Sequence, residues 1–368
     1  MRMVVYMANK SNRNGGGRFA GNRVPGLDVL RVLMALLIYM FHSNIHLNCY
    51  YGILNDFVSV GAIAMTGFFL LSGYSLRLVY GERNLMEKKE LSRFYIKRML
   101  GVLPLYYTLA LIYVLFLGKE TIGQNLILLP IEALGLQSTL CSLFDVTHNG
   151  GTWFISCLLI GYIVYPFLQT VVRQLNIQQK VCLLLILIFV DLWAVIVRNQ
   201  FHTAWTYDNP FYRVLEFAMG LIVADVNMTE NGKLMRVFRS WWMLIVGTGI
   251  LVAGVSVVQH VRDVQDYMLL NWIVLPCFVL MLFPLGGRRM PLLEKSRMLA
   301  YVSQMSYAFF LAQYFAWDSG RWFGNAIGYN HNWLRILYTF TLCVVISVVM
   351  HEVVQKRLVG WIKKIVEK

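Results

Sequence analysis

The chain has 368 residues, of which 58% are hydrophobic and only 14% are charged, and its mean hydropathy is +0.57. Because a soluble domain carries closer to a quarter charged residues, this composition excludes an ordinary soluble protein. Apolar runs of about 20 residues, enough to cross a bilayer, recur along the chain, whereas a β-barrel would show short alternating segments. The formal net charge of +14 indicates membrane topology and no nucleic-acid partner, since basic residues in membrane proteins mostly mark cytoplasmic loops.

The pattern predicts an all-α polytopic membrane protein in which residues 26–358 form the transmembrane domain. Residues 1–25 are polar, basic and glycine-rich, without an apolar core of signal-peptide length. They are predicted to form a flexible basic cytoplasmic tail, so the first helix would act as an uncleaved signal anchor. Residues 359–368 are predicted to be a basic cytoplasmic C-terminal end.

About ten spanning helices are predicted, and this even number places both termini on one side. Of the 33 lysines and arginines, this arrangement puts 26 on the side of the termini, six on the other side and Arg31 within the membrane. Such an excess identifies the side of the termini as cytoplasmic. The predicted spans are approximately Leu27–Leu47, Phe57–Val79, Lys97–Leu117, Thr152–Val172, Val181–Val197, Phe211–Val226, Trp241–Val258, Met268–Leu285, Tyr301–Asp318 and Leu334–Val354.

The outer segment Gly118–Gly151 is apolar but is interrupted by Pro130 and Glu132. It is predicted to be interfacial or re-entrant, because an additional span would move every later loop to the opposite side. Cys49 and Cys141 both lie in predicted outer segments, so a disulfide between them is a hypothesis for an oxidising compartment.

The first predicted helix, within Gly26–Asn48, carries Arg31 and His42. At about 100° per residue, eleven residues bring both side chains to within about 20° of one face, roughly 16 Å apart along the axis. Ionisable residues inside a spanning helix favour a functional reading. Arginine suits phosphate or carboxylate groups, and histidine suits proton transfer near neutral pH. Snorkelling of Arg31 to the interface and a structural hydrogen bond from His42 are the alternatives.

The opening stretch GLDVLRVLMALLIYMFH, with its arginine, ten intervening residues and histidine, resembles the signature of acyltransferase family 3. These are integral-membrane enzymes that transfer acyl groups, often acetyl, to hydroxyls of bacterial surface sugars. Five later stretches resemble the family in the same order. They are Gly67–Leu76, Ser92–Tyr107, Gly151–Pro166, Phe211–Leu221 and Ser306–Phe315.

The resemblance implies an O-acyltransferase of the bacterial inner membrane, with acetyl-CoA or another acyl-CoA as co-substrate and a glycan or lipid-linked saccharide as acceptor. His42 is predicted to be the general base. Glu216 and Ser72 are further catalytic candidates, although an Arg213–Glu216 pair and close helix packing at Ser72 are equally simple explanations.

Two other groups of residues are predicted to bind substrates. The candidates for coenzyme binding at the cytoplasmic side are Arg31, Arg93, Arg98 and Tyr106. The candidates for acceptor binding are Tyr74, His148, Trp153, Arg213 and Gln313. A lipid-headgroup role for the arginines and a solvated loop position for His148 are the alternatives.

Gln313 stands where family members often have a histidine, and an amide can bind a substrate but cannot shuttle a proton. A metal site at His42 and His46 is rejected, because no further ligand pattern completes it. A transporter or flippase for a polar metabolite or lipid-linked sugar remains the main rival, although the sequence shows no repeated halves. A catalytically lapsed scaffold is a third possibility, and a homo-oligomer is compatible with the sequence.

Overall fold

The computed structural model describes residues 23–116, 121–143, 145–201, 206–263, 267–328 and 331–366. Within these ranges the chain forms helices and no strand, which confirms the all-α class. Residues 1–22 of the predicted tail and residues 367–368 of the predicted C-terminal end lie outside the described residues.

Eleven helices account for most of the described chain, and they are numbered here in chain order. They are α1 (Pro25–Leu47), α2 (Ala64–Tyr80), α3 (Lys88–Phe116), α4 (Ile122–Ala133), α5 (Trp153–Gln174), α6 (Ile177–Leu192), α7 (Pro210–Thr229), α8 (Trp241–Gly249), α9 (Tyr267–Gly287), α10 (Arg297–Ile327) and α11 (Asn332–Met350).

Two of these helices continue through a π-helical stretch. Helix α8 runs through Ile250–Gly254 into Val255–Arg262, and α11 runs through His351–Leu358 into Val359–Val366. The short helices are Gly52–Leu54, Asn55–Val58, Gly61–Ile63, Gly150–Thr152, Ala194–Phe201, Lys233–Phe238 and Pro291–Glu294.

Each of the ten predicted spans overlaps one long helix, and α4 is not among the predicted spans. The bound predicted at Phe57 is wrong, because α2 begins at Ala64 after two short helices. Within the described ranges, eight helices are both long and apolar enough to cross a membrane. The other two, α7 and α10, have 20 and 31 residues and are therefore at least about 30 Å long. Helix α7 holds three charged residues, Arg213, Glu216 and Asp225, and buries them among its neighbours. In α10 the apolar stretch is interrupted by polar residues such as Ser303, Ser306 and Gln313, which lower its hydropathy.

Helix α4 lies in the segment that the sequence predicts to be interfacial or re-entrant. Its 12 residues extend only about 18 Å, too short to cross a bilayer. It begins at a capping box in which Thr121 and Gln124 bond each other's backbone N–H. Its other end is tied to α3, because the Tyr106 hydroxyl donates to the Glu132 carbonyl over 2.9 Å.

The centre of the bundle is the contact of α2 with α7. A Cβ added at Gly73 would lie 1.8 Å from the Phe217 carbonyl oxygen, and one added at Gly220 would lie 1.8 Å from the Leu70 carbonyl oxygen. These two glycines therefore let the backbones touch. Helix α1 packs against α2 and also lies along α10, which positions Arg31 and His42 against other helices.

The hypothesised disulfide is not formed, since Cys49 and Cys141 are both free. Cys49 is buried at the end of α1 in an apolar cluster with Leu47 and Trp317, whereas Cys141 is exposed. Burial raises the pKa of the Cys49 thiol to about 11, so its reactive thiolate is scarce at neutral pH.

Candidate active site

His42 on α1 is hydrogen-bonded to Gln313 on α10. Its Nδ1 lies 2.9 Å from the Gln313 side-chain oxygen. Because that amide oxygen accepts, Nδ1 carries the proton and Nε2 keeps its lone pair. His42 is half-buried, while Gln313 is only 1% exposed. The contact supplies the partner that holds the imidazole in the tautomer a general base requires.

Trp317, one turn after Gln313 on α10, forms the adjacent wall of this site. Its ring centroid lies 4.6 Å from that of His42 and 4.9 Å from that of His46, on which it stacks. Sequence reasoning overlooked Trp317, although its i+4 spacing from Gln313 places both on one face of α10. Within the described ranges, no group of three His, Cys, Asp or Glu residues is arranged to hold a metal ion. The exclusion of metal stays a prediction.

Arg31 lies at the other end of the same face of α1 and joins three helices. One guanidinium nitrogen donates to Asp28 over 3.2 Å and to the Ser303 hydroxyl of α10 over 2.9 Å, and the other donates to Ser75 of α2 over 3.4 Å. The Arg31 side chain is 14% exposed. These contacts show that Arg31 faces the bundle interior, and snorkelling alone does not account for them.

Arg98 belongs to the same end of the bundle. It donates to the Tyr80 hydroxyl over 3.0 Å and lies over the Tyr80 ring. Tyr162 of α5 lies near enough to Arg98 and to Arg31 to interact electrostatically with each. The Arg98 Nε atom is buried and has no hydrogen-bond partner among the described residues, so it remains available to an anionic ligand.

The structure places the other two predicted coenzyme residues elsewhere. Arg93 is 54% exposed and pairs with Glu90, one turn earlier on α3. It lies on a different face of α3 from Arg98, because the two residues are five positions apart in the helix. Tyr106 lies two turns further along α3 than Arg98, toward the predicted outer side. It lines a small cavity there with Glu132 and His148.

This cavity contains a buried histidine–carboxylate pair. The backbone N–H of His148 donates to one oxygen of Glu132 over 2.9 Å, and its Nδ1 lies 2.9 Å from the other. His148 Nε2 lies 2.6 Å from the side-chain oxygen of Asn125. The cavity volume of about 20 Å³ suffices for a water molecule or a hydroxyl group. His148 is only 3% exposed, so the alternative of a solvated loop histidine does not hold.

Glu216 and Arg213 form a separate cluster in the bundle. Arg213 Nη1 donates to both Glu216 oxygens over 2.7 and 2.8 Å. Thr66 and Asn271 also donate to this carboxylate, while the Arg213 guanidinium lies over the rings of Tyr207 and Trp153. The predicted pairing of Arg213 with Glu216 is therefore present, and the bonds of Glu216 are to this cluster and not to His42.

Ser72 and Tyr74 both make packing contacts on α2. The Ser72 hydroxyl donates to the carbonyl of Phe68 in the preceding turn over 2.7 Å, as serines in membrane helices commonly do. Tyr74 is 1% exposed, and its hydroxyl accepts from the Asn227 side-chain amide over 2.7 Å. Neither side chain meets His42 in these contacts.

The fold and these contacts define an integral-membrane protein with an intramembrane histidine site at one end of α1 and a cluster of arginines at the other. Residues 24–352 match the family model described as acyltransferase domain, and the chain therefore belongs to acyltransferase family 3. Membership makes it, in general terms, a membrane acyltransferase. No curated protein and no solved structure matches the sequence.

Proposed function

We propose that this protein transfers an acyl group, acetyl in the simplest case, from acyl-CoA to a hydroxyl of a cell-surface or exported glycan. The observation that carries the proposal is the hydrogen bond between His42 and Gln313. His42 lies on the same face of α1 as Arg31, which contacts Ser303 of α10. The family supports acyl transfer in general. The donor, the acceptor and a bacterial inner-membrane location belong to the proposal.

The coenzyme would bind at the end of the bundle that the charge distribution marks as cytoplasmic. Arg31 and Arg98 both lie near Tyr162 there, and Arg98 retains a buried N–H without a partner among the described residues. Planar guanidinium groups suit the phosphates of the coenzyme. Because Arg31 and His42 are roughly 16 Å apart along α1, the thioester would reach His42 through the extended pantetheine arm or through an acyl-enzyme.

The acceptor hydroxyl would approach from the opposite side. The cavity beside Tyr106, Glu132 and His148 has the size of a hydroxyl group and is lined by hydrogen-bonding groups. In the proposed reaction, His42 Nε2 removes the proton from the attacking hydroxyl as its oxygen bonds to the thioester carbonyl carbon. His42 then returns the proton to the leaving thiolate, which yields the ester and free coenzyme.

The test measures thioester loss from acetyl-CoA, together with coenzyme binding, by purified protein in nanodiscs. His42→Ala is expected to lower turnover by about 10²–10⁴-fold with binding retained, because only the proton transfer is lost. Arg31→Ala is expected to weaken binding by about tenfold or more. Arg93→Ala is the matched control, since Arg93 is exposed and its ion pair is with Glu90 of its own helix.

A wild-type protein that binds neither acetyl-, succinyl- nor longer acyl-coenzymes would remove the support for an acyltransferase. A transporter would lose substrate movement on His42→Ala without any dependence on a coenzyme, so a flux assay in proteoliposomes separates the two functions.

A further inference from the structure

We infer that Gln313 and Trp317 donate the two hydrogen bonds that stabilise the oxyanion in the proposed acyl transfer. This inference rests on the proposed function. It gives the two side chains a catalytic role in addition to their packing. The Gln313 Nε2 and Trp317 Nε1 atoms are both fully buried, and neither has a hydrogen-bond partner among the described residues. The side chains are 1% and 3% exposed.

Unpaired buried N–H groups are rare, because they lose hydrogen bonds to water and gain nothing in return. Here two of them belong to residues four apart on α10, which places them on one face, roughly 5–6 Å apart at their Cβ atoms. Both residues also contact the same imidazole, Gln313 through its oxygen and Trp317 through its ring. Two donors beside a general base are the arrangement that an oxyanion site requires.

Packing accounts for only part of this arrangement. Trp317 stacks on His46 and fills a cluster with Leu47 and Cys49, but a phenylalanine would pack there without burying an unpaired N–H. The Gln313 oxygen is used by His42, whereas its NH₂ group is not used by any described residue. Both N–H groups therefore lack a partner among the described residues, and both belong to side chains that contact His42.

The proposed step passes through a tetrahedral oxyanion. The acceptor oxygen bonds to the thioester carbonyl carbon, its proton moves to His42 Nε2, and the carbonyl π electrons move to the oxygen. The resulting oxyanion accepts hydrogen bonds from Gln313 Nε2–H and Trp317 Nε1–H. The carbonyl re-forms as the carbon–sulfur bond breaks, and the thiolate takes the proton from His42.

Trp317→Phe tests the indole donor because it removes the N–H and keeps an aromatic ring. We expect kcat for acetyl-CoA turnover to fall by about 10²–10³-fold. The KM for acetyl-CoA and the affinity for a non-hydrolysable thioether analogue should stay unchanged, as should the pH midpoint of the rate, since His42 keeps its tautomer. The matched control is Trp322→Phe on the same helix, where the tryptophan is 72% exposed, and it should retain the wild-type rate.

Gln313→Glu tests the amide donor, because the carboxylate still accepts from His42 Nδ1 but has no N–H to donate. A comparable loss of kcat is expected, together with a shifted pH midpoint caused by the new charge beside His42. If Trp317→Phe does not fold, as judged by its thermal midpoint and size-exclusion profile, a sulfur-for-NH tryptophan analogue at position 317 replaces it and keeps the shape of the ring.

The outcomes separate this inference from the proposed function. If wild-type protein turns over acetyl-CoA and a folded variant lacking the Trp317 N–H does so at the same rate, the oxyanion role is overturned while the acyltransferase stands. A loss that appears in KM or analogue binding with kcat unchanged also overturns it, because that result indicates ground-state binding. Absence of wild-type turnover contradicts the proposed function itself.

Discussion

The carboxylate of Glu216 receives its hydrogen bonds from Arg213, Thr66 and Asn271, and it is fully buried. In a protein interior an ion pair with this many partners holds helices in register, and its loss leaves an uncompensated charge. The same carboxylate could serve catalysis only if a substrate displaced one of these partners. At the scale of single residues, the contacts therefore assign Glu216 and Arg213 a structural role that is distinct from the role of His42.

We predict that Glu216→Leu destabilises the protein by about 3–5 kcal/mol, because Arg213 is then buried without its partner. The thermal midpoint in detergent measures this, and Arg213→Met with Glu216→Leu should recover part of the loss. Glu216→Gln keeps the shape and some hydrogen bonds, so we expect its folded fraction to retain turnover. A folded Glu216→Gln protein without turnover would restore the catalytic role that the sequence suggested.

We predict that His148→Ala lowers transfer to a supplied glycan acceptor by about tenfold or more, while hydrolysis of acetyl-CoA stays near the wild-type rate. The reason is that His148 lines the outer cavity and lies away from the arginines. The ratio of acylated glycan to free coenzyme measures the effect. His260→Ala is the control, since His260 is 78% exposed and pairs with Asp56. Equal losses in transfer and hydrolysis would contradict a role limited to the acceptor.

The sequence predicts Arg31 and His42 on one face because helical spacing is a local property. It does not predict that Gln313 would contact His42, because that bond joins residues 271 positions apart and depends on how α1 packs on α10. The same limit applies to Glu132 and His148, which meet only when α4 folds back against the loop before α5. The family resemblance points to Gln313, whereas only its spacing from Gln313 points to Trp317.

At the scale of helices, the contact of α2 with α7 depends on two glycines. Gly73 and Gly220 each face a backbone carbonyl of the other helix, so any side chain there forces the helices apart. Apolar length predicts α2, since about 20 apolar residues cross a bilayer, whereas α7 combines its apolar residues with three charged ones. Which helices become neighbours depends on such small-residue contacts.

We predict that Gly73→Ala and Gly220→Ala each destabilise the bundle by about 1–3 kcal/mol or more, as overpacking of a tight contact does. Thermal midpoints and monodispersity on size exclusion provide the measurement. Gly101→Ala on α3 is the matched control, because a Cβ there meets nothing within 4 Å and alanine favours a helix. A midpoint for Gly73→Ala equal to that of Gly101→Ala would show that α2 and α7 are not packed this closely.

At the scale of the whole molecule, the orientation in the membrane decides which substrate reaches which end of α1. The charge count predicts that Arg31 lies at the cytoplasmic end and His42 in the outer half, and Tyr162 lies near both Arg31 and Arg98. Contacts within the protein do not identify which end of the bundle faces the cytoplasm, so the orientation is a prediction from the distribution of lysine and arginine in the sequence. Free cysteines of different exposure give a direct test of it.

We predict that a membrane-impermeant maleimide labels right-side-out spheroplasts at Cys141 and that Cys141→Ser abolishes this labelling. Cys141 is exposed and lies in the predicted outer segment, whereas Cys49 is buried and its pKa is raised to about 11 by burial, which leaves little thiolate to react. Lys233→Cys, placed at an exposed position of the predicted inner side in the Cys141→Ser background, should be labelled only after permeabilisation. Labelling of Lys233→Cys in intact spheroplasts would invert the orientation. The coenzyme would then have to enter beside His42, and the arginine cluster would face the outer medium.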